Sequence, residues 1–293
     1  MIGLECMAIQ TNRRLWQSFL VGLGFKSHKS SLGEAIGGAI VNEEKKIAKV
    51  IKKEEIKVVE FVKYEEKLAA KWGYIIMKKL LAPLVHWLWI HSVEGLENIP
   101  KEGPVIVAAN HCSHFDSFCF IAASPRKVHY LAAEKLYKNP IWRFILNLTS
   151  QIRVDRDVKD KTDLRHVVHS ALDQGRMIGV YPEGTRSRDG KIQKAYTGAA
   201  QFALRKKVPI VPVGITGTYD ILPAKGGFPK FKKIAKLKIG KPMHFKEFHD
   251  IENTKDHHEF VTELVMLEIA NLSGQEYPHR SGIKPESLTR NTQ

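Results

Sequence analysis

From about Gly95 onward the chain alternates short apolar runs with stretches of helical spacing. That alternation restricts it to an α/β fold whose sheet has a substantial parallel portion. Val105–Ala109, Val128–Ala133 and residues 151–154, 177–181 and 210–215 read as strands. Residues 136–148, with Pro140 near the start, and 197–205 read as helices. So does 161–174, where Leu164, Val167, Val168, Ala171 and Leu172 share one face and Gly175 is the stop. Residues 234–239 alternate with lysine, as in a half-exposed strand, and 256–272 is a helix. Pro212 inside its apolar run predicts an edge strand or a bulge. The expected class is α/β: a mixed, largely parallel sheet flanked by helices, with an N-terminal helical membrane-anchoring region.

Val105–Ala109 is uniformly apolar, which suits a strand buried on both faces. It stops abruptly at Asn110-His111, and Asp116 follows. An imidazole takes a proton near neutral pH, and a carboxylate holds its tautomer and stabilises the imidazolium. The same residues also fit a blander reading, in which Ser113 or Asp116 caps a helix through Phe118 to Ile121. In an open parallel sheet, ligands bind beyond the carboxyl ends of the strands. His111 and Asp116 follow one strand candidate, Arg156 another, and Glu183 and Arg186 a third, so the topology predicts that all five share one rim.

Three further stretches accompany Asn-His-x-Ser-x-x-Asp: Gln-Ile-Arg-Val-Asp-Arg at 151–156, Tyr-Pro-Glu-Gly-Thr-Arg-Ser-Arg-Asp-Gly at 181–190, and Pro-Ile-Val-Pro-Val-Gly at 209–214. In this order the four resemble the motifs of the glycerolipid acyltransferases, and the third is most like that of the lysophosphatidic acid acyltransferases. The likeness runs from about Gly95 to Gly240. Ser150 stands where that family usually has glycine, and Thr197 where it often has lysine. The resemblance implies a 1-acylglycerol-3-phosphate O-acyltransferase with His111 and Asp116 as the catalytic pair. Substrate contacts would come from Asn110, Ser113, Arg156, Glu183, Gly184, Thr185 and Arg186. Acyl-ACP or acyl-CoA would be the donor, lysophosphatidic acid the acceptor, and no metal or other cofactor would be needed. No Gly-x-Ser-x-Gly elbow is present, so direct attack without an acyl-enzyme is the simpler scheme.

Arginine suits a phosphate because its planar fork donates two parallel hydrogen bonds. Thr185 and Ser187 add hydroxyl donors. Glu183 would repel phosphate, so it orients an arginine or holds its loop by accepting backbone N–H bonds. Arg186 and Arg188 also fit a solvated turn around Asp189-Gly190, and Arg156 fits an ion pair with Asp155 or Asp157. Glycerol 3-phosphate as acceptor, a lipid-surface hydrolase and a basic nucleic-acid-binding protein are the competing classes.

The formal net charge of +15 calls for an anionic partner. No nucleic-acid motif is visible, and the expected partner is a membrane surface with anionic lipids rather than nucleic acid. Between Lys225 and Lys246 there are eight lysines and no acid, with Lys232, Lys233 and Lys236 at the centre. Residues 72–91 are rich in Trp, Tyr, Leu and Ile, but Lys78 and Lys79 interrupt them well short of the roughly 20 apolar residues a span needs. Trp72, Lys78, Lys79, Trp87 and Trp89 then mark an interfacial anchor, on the cytoplasmic face and monotopic; a core helix docked on the catalytic domain is the alternative. The expected organisation is a helical region over 1–92, a catalytic domain over 93–274 and a loosely ordered tail over 275–293. Residues 42–70 read mainly as helix. Cys6, Cys112 and Cys119 form no disulfide framework, as suits a reducing cytosol. A Cys112 nucleophile is disfavoured because neighbours on a strand end point apart. His257-His258-Glu259 lacks metal-ligand spacing and reads as solvent-facing.

Overall fold

The computed structural model describes Lys46 and residues 68–155, 162–249, 251, 254–283 and 285–288. The helix expected over 42–70 lies largely outside these residues, as does Arg156. All elements below belong to the unit Phe61–Gln293.

Seven strands form one sheet: β1 (Ile90–Glu94), β2 (Val105–Ala109), β3 (Val128–Ala133), β4 (Ile152–Val154), β5 (Met177–Val180), β6 (Ile210–Thr216) and β7 (Ala235–Ile239). Their order is β1-β7-β6-β2-β5-β3-β4. Every neighbouring pair is parallel except β6 and β7. The expected mixed, largely parallel sheet is therefore present, and β2 lies in its middle. Alternation along β2 divides the core in two. Ile106 and Ala108 pack into one cluster with α5 (Thr162–Asp173), α6 (Gly198–Lys206) and α8 (Lys255–Ser273). Val105, Val107 and Ala109 face the other cluster, with α2 (Phe115–Ala123) and the end of α1 (Leu68–Leu88). Each fully buried Val, Leu or Ile side chain contributes roughly 1.5–3 kcal/mol over its exposed state.

Pro212 is not on an edge. β6 lies between β2 and β7, and Pro212 stands just beyond the last β7 pair, Val213 with Ile239. There its carbonyl accepts from Gly240 N at 2.9 Å, and proline donates no bond in return.

The apolar stretch expected over 72–91 is a helix only as far as Leu88; Ile90 already pairs with Ala235 in the sheet. Pro83 stays inside the helix. Leu68, Trp72, Ile76, Leu80, Leu84 and Trp87 leave an exposed apolar stripe at helical spacing, while Tyr74 is buried. Two of the expected membrane-contact residues belong elsewhere. Trp89 is buried because the helix has ended before it. It stacks on Phe231 at 5.6 Å, and its Nε1 donates to Lys230 O at 2.9 Å. Lys78 turns inward and donates to Ser124 O. No helix among the described residues is long and apolar enough to cross a membrane.

Between β3 and β4 lie α3 (Glu134–Tyr137) and α4 (Pro140–Leu148), the latter capped by Asn139, whose side chain accepts from Ile141 N and Trp142 N. Two further short helices are α7 (Thr218–Ile221) and α9 (Pro285–Leu288). Tyr277 and Leu288, in the segment expected to be loosely ordered, are buried in the main core. His257 is buried rather than solvent-facing. Its Nδ1 accepts from Thr254 N at 3.1 Å in a capping box that starts α8.

Candidate active site

β2 delivers Asn110 and His111 to the carboxyl rim of the sheet, and α2 begins four residues later. Asn110 was expected to touch substrate, but it is buried and spent on the scaffold. Its Nδ2 donates to Ile215 O and its Oδ1 accepts from Ile215 N, both at 2.8 Å, locking β2 to β6. Ser113 departs from expectation in the same way: its Oγ donates to Leu222 O at 2.6 Å and accepts from Phe115 N at 3.0 Å.

Asp116 is fully buried in the first turn of α2. Its Oδ2 faces His111 Nδ1 at 2.8 Å and accepts from Cys112 N and Ser113 N, each at 2.8 Å. Thr218 Oγ1 donates to Oδ1. The carboxylate therefore ties the loop that precedes its helix to the imidazole, while the N–H at the start of the helix, that of Phe115, is taken by Ser113 Oγ. With Nδ1 engaged, Nε2 is the nitrogen left to take a proton. Burial, then the neighbouring Asp116, pushes the Cys112 thiol far up, so it stays a thiol.

β5 brings the second half of the rim. Glu183 is buried and accepts from His111 N at 2.7 Å and Gln193 N at 2.8 Å, so it holds the two loops to each other. Burial pushes its carboxyl up to about 7, against the pull of those two N–H groups. Gly184 has φ +69, a left-handed conformation that favours glycine. Ser187 N donates to His111 O at 2.7 Å, and the Ser187 hydroxyl is spent on Asp189. Arg186 is half-buried, and its Nη1 donates to Ala224 O at 3.1 Å. Arg188 is exposed, as the turn reading requires.

These groups border a cavity of about 520 Å³. His111, Thr185 and Arg186 line its polar part; Phe118, Ile121, Leu136, Trp142, Ile145 and Leu146 line an apolar part between α2 and α4. The structure thus gathers His111, Asp116, Glu183, Gly184, Thr185 and Arg186 of the expected residues. It adds three that were not anticipated. Thr218 holds Asp116 from 102 positions away. Tyr181, visible at the head of its motif, stacks against His111. His114 lines the cavity 5.1 Å from the Trp142 ring, and burial, then Arg186 and His111, pushes its pKa down to about 4, so it is neutral at pH 7. No group of three or more His, Cys, Asp or Glu among the described residues could hold a metal ion.

Comparison with known proteins agrees with the motifs. Residues 91–216 match the family model described as Acyltransferase. The 1-acyl-sn-glycerol-3-phosphate acyltransferase of Borreliella burgdorferi is 30% identical over 136 residues, 45% of this chain and 54% of that one. Its namesake from Pseudomonas aeruginosa is 28% identical over 158 residues, 53% of this chain and 59% of that one. A chloroplastic enzyme of the same name from Brassica napus is 24% identical over 165 residues, 56% and 48% of the two chains. The chain spans about half the length of the curated relatives it matches. Among solved structures, the 1-acyl-sn-glycerophosphate acyltransferase PlsC of Thermotoga maritima aligns with TM-score 0.56 and 26% identity, covering 78% of this chain and 90% of that one.

Proposed function

We propose that this protein transfers a fatty acyl group from an acyl thioester, acyl-ACP or acyl-CoA, to the 2-hydroxyl of 1-acyl-glycerol-3-phosphate, giving phosphatidic acid. One observation carries the reading: the His111–Asp116 pair opens onto a single cavity that has an arginine in its polar part and an apolar cleft beyond. A phosphate and a fatty chain need both.

In the proposed reaction, His111 Nε2 takes the proton of the 2-hydroxyl as its oxygen attacks the thioester carbonyl. The tetrahedral intermediate expels the thiolate, and the imidazolium returns the proton to sulfur. Asp116 stabilises that imidazolium and fixes the ring. Arg186 directs its fork to the acceptor phosphate, with Thr185 beside it. Arg156 remains a further candidate for this contact. The scheme draws on no metal or other cofactor.

The acceptor is a membrane lipid, so we place the protein on a bilayer, monotopic and on the cytoplasmic face. The exposed stripe of α1 and the exposed lysines Lys79, Lys232, Lys233 and Lys236 support this placement.

The deciding experiment measures phosphatidic acid formation by purified, folded His111→Ala. General-base loss predicts a fall of about 100- to 10,000-fold. Near-normal turnover removes the reading. Faster acylation of glycerol 3-phosphate than of lysophosphatidic acid by the parent would reassign the acceptor.

A further inference from the structure

The loop between α7 and β7 combines features that the proposed reaction does not use. Phe228 is 95% exposed and Phe231 77%. Lys225, Lys230, Lys232 and Lys233 are exposed around them, and the loop contains no acid. A phenyl ring left in water at a loop tip, ringed by cations, is complementary to a surface with an apolar interior and anionic heads.

The base of this loop is fixed to the active site at two points. Leu222 O accepts from the Ser113 hydroxyl at 2.6 Å, and Ala224 O accepts from Arg186 Nη1 at 3.1 Å. On its far side, Lys230 O accepts from Trp89 Nε1, and Phe231 stacks on the same indole. Trp89 directly follows α1, whose exposed stripe ends at Trp87. Trp87 and Lys233 border one shallow pocket. The loop therefore joins the apolar stripe on one side and the arginine of the acceptor subsite on the other.

We propose that residues 222–234 form a lipid-contacting loop whose Phe228 tip enters the surface of an anionic bilayer, and whose Ala224 carbonyl, accepting from Arg186, registers that contact in the acceptor subsite. This rests on the membrane-lipid acceptor proposed above and adds to it an insertion point and a coupling. Burial of the tip displaces the loop, the loop carries Ala224 O with it, and the guanidinium is aimed by that carbonyl. An acceptor presented in a bilayer then meets an arginine already oriented.

The test uses the full chain with Phe228→Ala and Phe228→Trp. Vesicles of phosphatidylglycerol with phosphatidylcholine, and of phosphatidylcholine alone, are compared. The emission of Phe228→Trp, less that of the parent, should shift to the blue on anionic vesicles and be quenched by brominated lipid. Phe228→Ala should raise the apparent KM for vesicle-borne lysophosphatidic acid roughly tenfold, the loss expected for one buried ring. Its kcat/KM for a short-chain, monomeric lysophosphatidic acid should equal the parent's. Acceptor-free anionic vesicles should raise the parent's rate on that soluble acceptor and leave Phe228→Ala unchanged. If the parent binds vesicles but the residue-228 emission does not move, the loop proposal is overturned and the membrane placement stands. If the parent binds no vesicle, both fall. Equal losses on soluble and vesicle-borne acceptor would make Phe228 a scaffold residue. A defect confined to acyl-ACP as donor would make the loop a carrier-protein dock. Either result overturns the proposal.

Discussion

The phenol ring of Tyr181 lies flat on the imidazole of His111, with centroids 3.8 Å apart and planes 12° from parallel. Behind it Tyr130 stacks at 5.1 Å and 5°. Tyr130 has room because Gly179 faces it across the β3–β5 pair; a Cβ there would lie 2.5 Å from the ring. The Ser117 hydroxyl lies 2.8 Å from the Tyr181 hydroxyl. Asp116 holds one edge of the imidazole, and the stack holds its face. Tyr181→Leu should therefore lower kcat about tenfold or more with little change in KM, since orientation rather than binding is lost. Tyr181→Phe keeps the ring and should stay near the parent. The stacked His111 ring protons should be shifted upfield in NMR spectra by ring current, and that shift should vanish in Tyr181→Leu. An unchanged shift in the leucine variant would show that the stack does not form in solution.

Glu183 supplies a pH test of the fold. Its carboxyl is pushed from 4.5 up to about 7, chiefly by burial. Between those values the folded chain holds a proton that the unfolded chain has released. The stabilisation is therefore complete below about pH 4.5 and is lost as pH rises through 7, an effect on the order of 3 kcal/mol. Glu183→Gln cannot titrate. The difference in unfolding free energy between parent and Glu183→Gln, from urea titrations across this range, should slope between pH 4.5 and 7 and level off above. A flat difference would mean that the carboxyl is not desolvated as the structure has it.

Arg186 should discriminate acceptors by charge. Arg186→Ala is expected to weaken productive binding of lysophosphatidic acid, and Arg186→Lys to restore only part of it, because lysine lacks the fork. An uncharged monoacylglycerol should be nearly indifferent to either change. Kinetics with both acceptors decide the point. Equal loss on both would move Arg186 to donor binding or to scaffolding of the Ala224 loop.

Much of this was legible in the chain because the physics is local. The run Val105–Ala109 is apolar at every position, and a strand buried on both faces needs that. Parallel order then brings the ends of β2 and β5 to one rim, which is why His111 and Arg186 line one cavity although 75 positions separate them. What depended on distant partners was not legible. Asn110 and Ser113 sit in a motif that also carries His111, and nothing in the motif says that Ile215 and Leu222 claim their side chains. Thr218 is a bland residue until the fold places it on Asp116. Trp87 and Trp89 look alike in composition. A helical period cannot show that the helix stops at Leu88, which leaves one indole in solvent and turns the other into the core. Metal-ligand spacing carries no information on the burial of His257, whose role depends on the cap it shares with Thr254.

That distinction between the two tryptophans shapes the membrane prediction. The exposed apolar residues of α1 include Leu80, Leu84 and Trp87, and their contribution to bilayer binding should come from area removed from water. Lys232, Lys233 and Lys236 are exposed, and each adds about 1 kcal/mol near an anionic surface, falling off within a Debye length of about 10 Å at 0.1 M salt. Leu84→Ala with Trp87→Ala should then weaken binding to neutral and anionic vesicles alike, at every salt concentration. Gln at 232, 233 and 236 should weaken binding to anionic vesicles only, by more than tenfold at low salt and hardly at all at high salt. Trp89→Ala belongs in neither class: it removes a buried ring and the bond to Lys230, so it should lower the melting temperature instead. Vesicle co-sedimentation across a salt series, with thermal unfolding of each variant measured beside it, separates the three. If the lysine variant binds anionic vesicles like the parent at low salt, the electrostatic contribution is absent and apolar contacts alone must hold the protein.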